Sequence, residues 1–227
     1  MHQIIFVGLT CLICGCTTIE HKSLDKSSND ELMGKTIQAS LYEAPSFIAH
    51  TTSSGLATAT GGLLGGLAGA SGAAIYGNQI VEQYLIKDPA GQIAIEMANK
   101  LSAKYGLEVH QGESTVSPSD NLESLKTTYG STDYLLDVKS ISWGFSYFPT
   151  DWNNYQVFYG ARMRFIRVRD LAVLAEEWCE YKPSYSDTDD APNYDDLLSD
   201  DAKVLKDSFQ AAVSYCETLF DKTLSVQ

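Results

Sequence analysis

From Tyr155 to Phe165 every second residue is apolar or aromatic: Tyr155, Val157, Tyr159, Ala161, Met163 and Phe165. That two-residue period belongs to a β-strand, whose successive side chains point to opposite sides of the pleat. A strand this long cannot bury one face alone, so it demands paired neighbours and a covering layer. The neighbours are at hand in 133–148 and 172–182, which flank 154–169 and join it through short turns, the second around Asp170. The three segments read as a meander. Ile166 and Val168 fall in the opposite phase, which predicts a β-bulge near Phe165.

Helical periods supply the covering layer. Asp88-Pro89 reads as an N-cap followed by proline at the first helical position, and Gly106 ends the helix; Ile93, Met97, Leu101 and Tyr105 form its apolar stripe. Residues 107–110 read as a short strand, and 119–129 as a helix with Leu122, Leu125 and Tyr129 on one side. Upstream, 35–42 alternates Ile37, Ala39 and Leu41 and stops near Pro45, as an opening strand does. At the other end Leu205, Phe209, Val213, Cys216 and Phe220 mark a last amphipathic helix. The order β-α-β-α-β-β-β-α predicts an α/β (α+β) domain: a mixed β-sheet with helices packed on it.

This element order across 35–224, with the strand pair Asp133-Tyr134-Leu135-Leu136-Asp137-Val138 and Ala161-Arg162-Met163-Arg164-Phe165, resembles the periplasmic α/β domain of the curli secretion lipoprotein. It is similar also to the amino-terminal domain of the Tol-system propeller protein. The resemblance implies a fold and an envelope setting, not an activity.

The start of the chain gives an address. A short polar beginning, Met1-His2-Gln3, precedes a mostly apolar run over 4–13 that is too short to span the roughly 20 residues a bilayer needs. Its end, Ile13-Cys14-Gly15-Cys16, resembles the bacterial lipobox. The resemblance implies cleavage after residue 15, a covalent lipid on Cys16 as the only cofactor, and attachment to a membrane through that lipid. Thr17-Thr18, in place of an aspartate after the cysteine, implies the outer membrane, with the domain facing the periplasm. Residues 16–34, rich in Ser, Thr, Lys, Asp and Asn, read as the lipidated cysteine and a flexible tether. Residues 35–227 then form one periplasmic domain with a Gly-rich apolar insertion at 55–77.

With 29 Asp+Glu against 16 Lys+Arg, a formal charge of −13, the chain is not built to attract nucleic acid, and a partner surface should be neutral or basic. Of its five cysteines, Cys11 and Cys14 leave with the signal and Cys16 takes lipid. Cys179 and Cys216 remain, either as a disulfide in an oxidising periplasm or as two buried thiols.

Three segments are candidates for function. Between Glu43 and Glu82 there is no formal charge, and Gly61, Gly65 and Gly69 recur every four residues, like the glycine-zipper segments of envelope proteins. Such a ridge packs within the domain, or contacts membrane, another envelope protein or a second copy of the chain. The aromatic stretch 143–155 surrounds a turn, where Trp152 could meet a partner; Trp143, Phe145 and Tyr147 equally suit a sheet core. The acidic run around Asp187, Asp189 and Asp190 lacks the glycine and glutamate of a calcium loop and reads as a solvated helix cap, so no metal site is assigned. For catalysis the domain offers His50 and His110 without a metalloprotease pair, a nucleophile elbow or a phosphate loop, so no catalytic residue is assigned. A pair of carboxylates acting on cell-wall glycan is the enzymatic alternative. The expectation is a non-catalytic scaffold or accessory that binds an envelope component.

Overall fold

The computed structural model describes residues 21–26, 29–52, 62–110 and 115–225. Its spine is three antiparallel strands: β4 (Tyr134–Phe148), β5 (Asp151–Arg167) and β6 (Ala172–Tyr181). The short strands β1 (Thr36–Ala39) and β2 (Ile48–His50) lie in succession along the free edge of β4, both parallel to it, and β3 (Glu108–Val109) pairs with β1. Among the described residues this is a six-stranded mixed sheet with helices packed on it.

One face carries the main core. Val138, Trp143, Phe145, Val157, Tyr159, Met163, Phe165, Ala175 and Cys179 point into it, beneath helices α3 (Pro89–Tyr105) and α5 (Tyr194–Leu224). Leu136 and Val138 differ in strand phase from Trp143 and Phe145, and the register shift between Ser140 and Ser142 absorbs the odd residue that brings both pairs to one face. A second shift falls between Phe165 and Ile166, at the predicted bulge. It turns Ile166 and Val168 to the opposite face, where Leu125 and Tyr129 of α4 (Leu122–Tyr129) cover them with Leu135.

Helix α3 begins and ends as the sequence dictates: the Asp88 side chain accepts from the Ala90 N–H, Pro89 opens the helix, and Gly106 closes it at φ 70. The helix predicted from 119 starts later, because Asn121 takes the N-cap role and accepts from the Ser124 N–H. Helix α5 is interrupted by the left-handed residues Asp200, Asp201 and Ala202. Each costs ~1–2 kcal/mol in an L-residue backbone, which buried Ala202 and Leu205 offset by packing.

Of the expected tether, residues 22–26 and 29–34 are part of the fold. Lys22 pairs its backbone with Glu176 on the outer edge of β6, the Leu24 N–H donates to the Thr223 carbonyl, and α1 (Asn29–Leu32) follows. Leu24 and Leu32 are fully buried, and two such side chains contribute ~1.5–3 kcal/mol each. Polar composition concealed them, and an edge strand left open is a site for aggregation that this segment closes.

Candidate functional site

From residue 62 the Gly-rich stretch forms α2 (Gly62–Tyr84). Gly61 lies outside the described residues and Gly65 stands in the first turns of α2. Gly69 is buried and begins an inward row with Ala73, Gly77 and Ile80. At Gly77 the helix lies so close to the backbone preceding β2 that a Cβ would sit 2.0 Å from the Phe47 carbonyl oxygen. Small residues here let a helix lie directly on extended backbone. The outward side carries Ile75 and Tyr76, both exposed, and among the described residues no helix is long and apolar enough to cross a membrane.

Tyr76 leads from α2 into a chain of rings. Its hydroxyl is hydrogen-bonded to that of Tyr194 in the first turn of α5. Tyr194 packs edge-on against Tyr155 at 5.7 Å, Tyr155 against Tyr147 at 6.5 Å, and Tyr147 against Trp152 at 6.2 Å. Burial, with the Tyr76 hydroxyl beside it, pushes the Tyr194 hydroxyl well above the ordinary tyrosine range. Tyr194 is therefore a neutral hydrogen-bonding phenol at any physiological pH.

Trp152 ends the ladder at the tip of the β4–β5 hairpin. It is 61% exposed, while its indole N–H donates to the Pro149 carbonyl at 3.3 Å and fixes the ring. Trp143 and Phe145, from the same aromatic stretch, are core residues in contact with Phe47. Alternation therefore separates the buried rings from the displayed one, and Tyr147 is half-buried between them.

Carboxylates surround the tip. Asp151 follows the turn, Asp187 caps a short 3₁₀ turn at Thr188–Asp190, and Asp195 and Asp196 occupy the first turn of α5 behind its cap Asn193. Hydrogen bonds from the Asn153 N–H and Asn154 hold the Asp151 carboxyl below the usual aspartate range. Capping accounts for the acidic run. Among the described residues no group of three His, Cys, Asp or Glu side chains is arranged to hold a metal ion. The ladder and its acids form a surface suited to stacking and to cationic groups.

A polar cluster that the sequence did not single out lies on the opposite face of the sheet. Asp137 of β4 is fully buried and accepts from Arg164 Nε at 2.8 Å, from Ser40 at 3.0 Å, and from the Arg164 Nη2 and Tyr42 hydroxyl groups. Burial, followed by the Asp137 charge, drives the Tyr42 hydroxyl far above its usual range. Both oxygens of Asp137 are fully engaged, so it has no vacant position from which to accept a substrate proton. Alongside, Arg162 and Lys139 hold Asp120 at 2.7 and 3.2 Å. Burial pushes that carboxyl up, but the two cations outweigh it and hold it below the usual range. The signal available was an aspartate between Leu136 and Val138 with arginines at alternate positions in the partner strand.

The histidines do not meet. His50 pairs with Ser146 near the end of β4, whereas the His110 N–H donates to Ile37, whose partner Tyr134 begins that strand. Along a strand this separation is roughly 40 Å. Burial lowers the His50 imidazole below its ordinary value. Cys179 and Cys216 are bonded to each other, with Cα atoms 5.5 Å apart. Cys16 lies outside the described residues.

The chain matches no protein-family model and no curated protein. Among solved structures it is similar to PelC of Paraburkholderia phytofirmans, crystallised as a dodecamer, with 13% identity over 92% of this chain and 99% of that one, at a TM-score of 0.39. The lipoprotein GNA1162 of Neisseria meningitidis shares 11% identity over 79% of this chain and 98% of that one, at 0.34. The protein CT253 of Chlamydia trachomatis shares 10% over 81% and 96%, at 0.37. All three are distant likenesses.

Proposed function

We propose that this chain is a non-catalytic lipoprotein of the bacterial envelope, tethered by a lipid on Cys16 to the outer membrane, whose domain binds another envelope protein. The anchor is supported by the Ile13-Cys14-Gly15-Cys16 motif behind an apolar run. The binding role is carried by one observation: Trp152 is displayed at a hairpin tip, backed by a ladder of tyrosines and ringed by aspartates. Tryptophan and tyrosine dominate binding energy at protein interfaces, and the acidic rim selects a partner rich in Lys or Arg.

A photo-crosslinking amino acid placed at Trp152 in the full chain, expressed in cells, tests this. A discrete adduct with one protein, absent when the probe stands at Lys222 at the far end of α5, is the expected result. Equal labelling at both positions, or none at Trp152, removes the reading. Lipid on Cys16 is checked separately by the intact mass of the purified chain.

A further inference from the structure

At the opposite end of the sheet from Trp152 lies a cleft of about 550 Å³. Its lining includes Lys35, Lys126, Arg167 and Arg169, against Glu31 and Asp133. In a chain with 29 acidic and 16 basic residues, this local excess of cations inverts the overall balance. The acids here are turned to the protein's own groups, among them Asp170 beside the cleft, which accepts from Arg167 Nε at 3.0 Å and Nη2 at 2.9 Å. Glu31 accepts from Arg167 at 2.9 Å and Arg169 at 3.4 Å, and Asp133 accepts from the Thr36 N–H and hydroxyl, each at 3.0 Å. The Lys126 ammonium donates to the Arg169 carbonyl at 3.2 Å, which gathers two cations on one rim.

Helix ends explain only part of this. Lys126 sits in the last turn of α4, where a cation suits the negative end of the dipole. Arg167 ends β5 and Arg169 lies in the β5–β6 turn, where no helix end calls for them; Lys35 lies between α1 and β1. Arg169 is 68% exposed, so its charge faces outward.

The second observation is the length of chain beyond the fold. Lys22 is fixed to the edge of β6, so Cys16 can lie at most roughly 20 Å from it, six residues at full extension. A domain held that closely touches the bilayer, and its charge distribution decides which end does so. The Trp152 end carries Asp151, Asp187, Asp189, Asp190, Asp195 and Asp196, which an anionic surface repels.

We infer that the cleft between α4 and the β5–β6 turn receives the phosphate of an anionic phospholipid in the membrane that carries the anchor. The domain then stands on its cationic end and presents Trp152 outward. This rests on the lipid-anchor reading. Phosphate suits the site because the outward guanidinium of Arg169 presents N–H donors to it while lysines add point charges; Arg167, held by Asp170 and Glu31, adds charge behind it.

The full lipidated chain is reconstituted in vesicles of phosphatidylcholine, with or without phosphatidylglycerol, and lysine acetylation is followed by mass spectrometry. With phosphatidylglycerol, Lys35 and Lys126 should react roughly tenfold more slowly, an effect erased by salt, as expected for several cations at a charged surface. Lys182 and Lys203, at the acidic end, should be unchanged. Arg169→Glu should restore the fast rates at Lys35 and Lys126, with unchanged rates at Lys182 and Lys203 reporting an intact fold. Equal rates on both vesicles overturn the inference. So does equal protection by inorganic phosphate without phosphatidylglycerol, which makes a soluble phosphate-bearing molecule the ligand. If the intact mass shows no lipid, the anchor reading fails by itself; flotation of that chain with phosphatidylglycerol vesicles then supports the cleft, and its absence overturns it.

Discussion

Cys179 of β6 and Cys216 of α5 are joined across the main core, so the edge strand and the last helix are one covalent unit. The two residues are 37 apart in sequence. Closing a loop of that length constrains the unfolded chain by about 4 kcal/mol in the entropy model. Cys179→Ala combined with Cys216→Ala should therefore lower the unfolding free energy by about that amount. Urea denaturation of the oxidised wild type and the double variant measures it; equal midpoints would show that the bridge adds nothing.

The two glycines Gly72 and Gly77, on opposite sides of α2, should respond in opposite directions. A Cβ at Gly77 meets the Phe47 carbonyl oxygen at 2.0 Å, while one at Gly72 meets nothing within 4 Å. Gly77→Ala should cost about 1–3 kcal/mol by forcing helix from backbone. Gly72→Ala should gain about 0.5–1 kcal/mol from helix propensity. Thermal melts of the two variants decide it, and a loss at Gly72 equal to that at Gly77 would mean that the outward side of α2 is also packed.

The sheet was legible because its signals are local and repeated. The Tyr155–Phe165 alternation, the phase change at Ile166 and the Asp88-Pro89 to Gly106 helix each needed only a strand or helix period and a cap. Leu24 and Leu32 were not legible, since a lone leucine in a polar run shows its burial only when the rest of the core is in place around it. The same holds for the ladder. Trp152 stood out in sequence, but Tyr76 and Tyr194 are 118 residues apart and meet only once α2 is seated on β2, which brings its outward tyrosine to the start of α5.

Asp137 and Arg164 illustrate the same limit and give a third expectation. Arg164→Met removes the charge partner of a fully buried carboxylate and should cost about 3–5 kcal/mol. Adding Asp137→Leu should recover much of that loss, because an apolar pair of similar volume needs no desolvation of charge. Chemical denaturation of the two single variants and the double variant closes the cycle. If the double variant is as unstable as the sum of the singles, the pair is not coupled as its geometry requires.

Asp88 is a residue whose charge the fold tolerates at a cost. Burial raises its carboxyl above the ordinary value of 3.8, against hydrogen bonds from Ser140 and the Ala90 N–H that favour the anion. For a carboxyl raised in the folded state, the stability tied to its protonated form is fully present below 3.8 and is lost as pH rises through the higher folded value. Asp88→Asn keeps a side-chain oxygen to accept from Ala90, since asparagine caps helices as well as aspartate does, and removes the charge. The variant should therefore be more stable than wild type at neutral pH, and the difference should close as pH falls toward 3.8. Unfolding free energies across that range test the sign. A variant less stable at neutral pH would mean that the anion's bonds to Ser140 and Ala90 outweigh its burial.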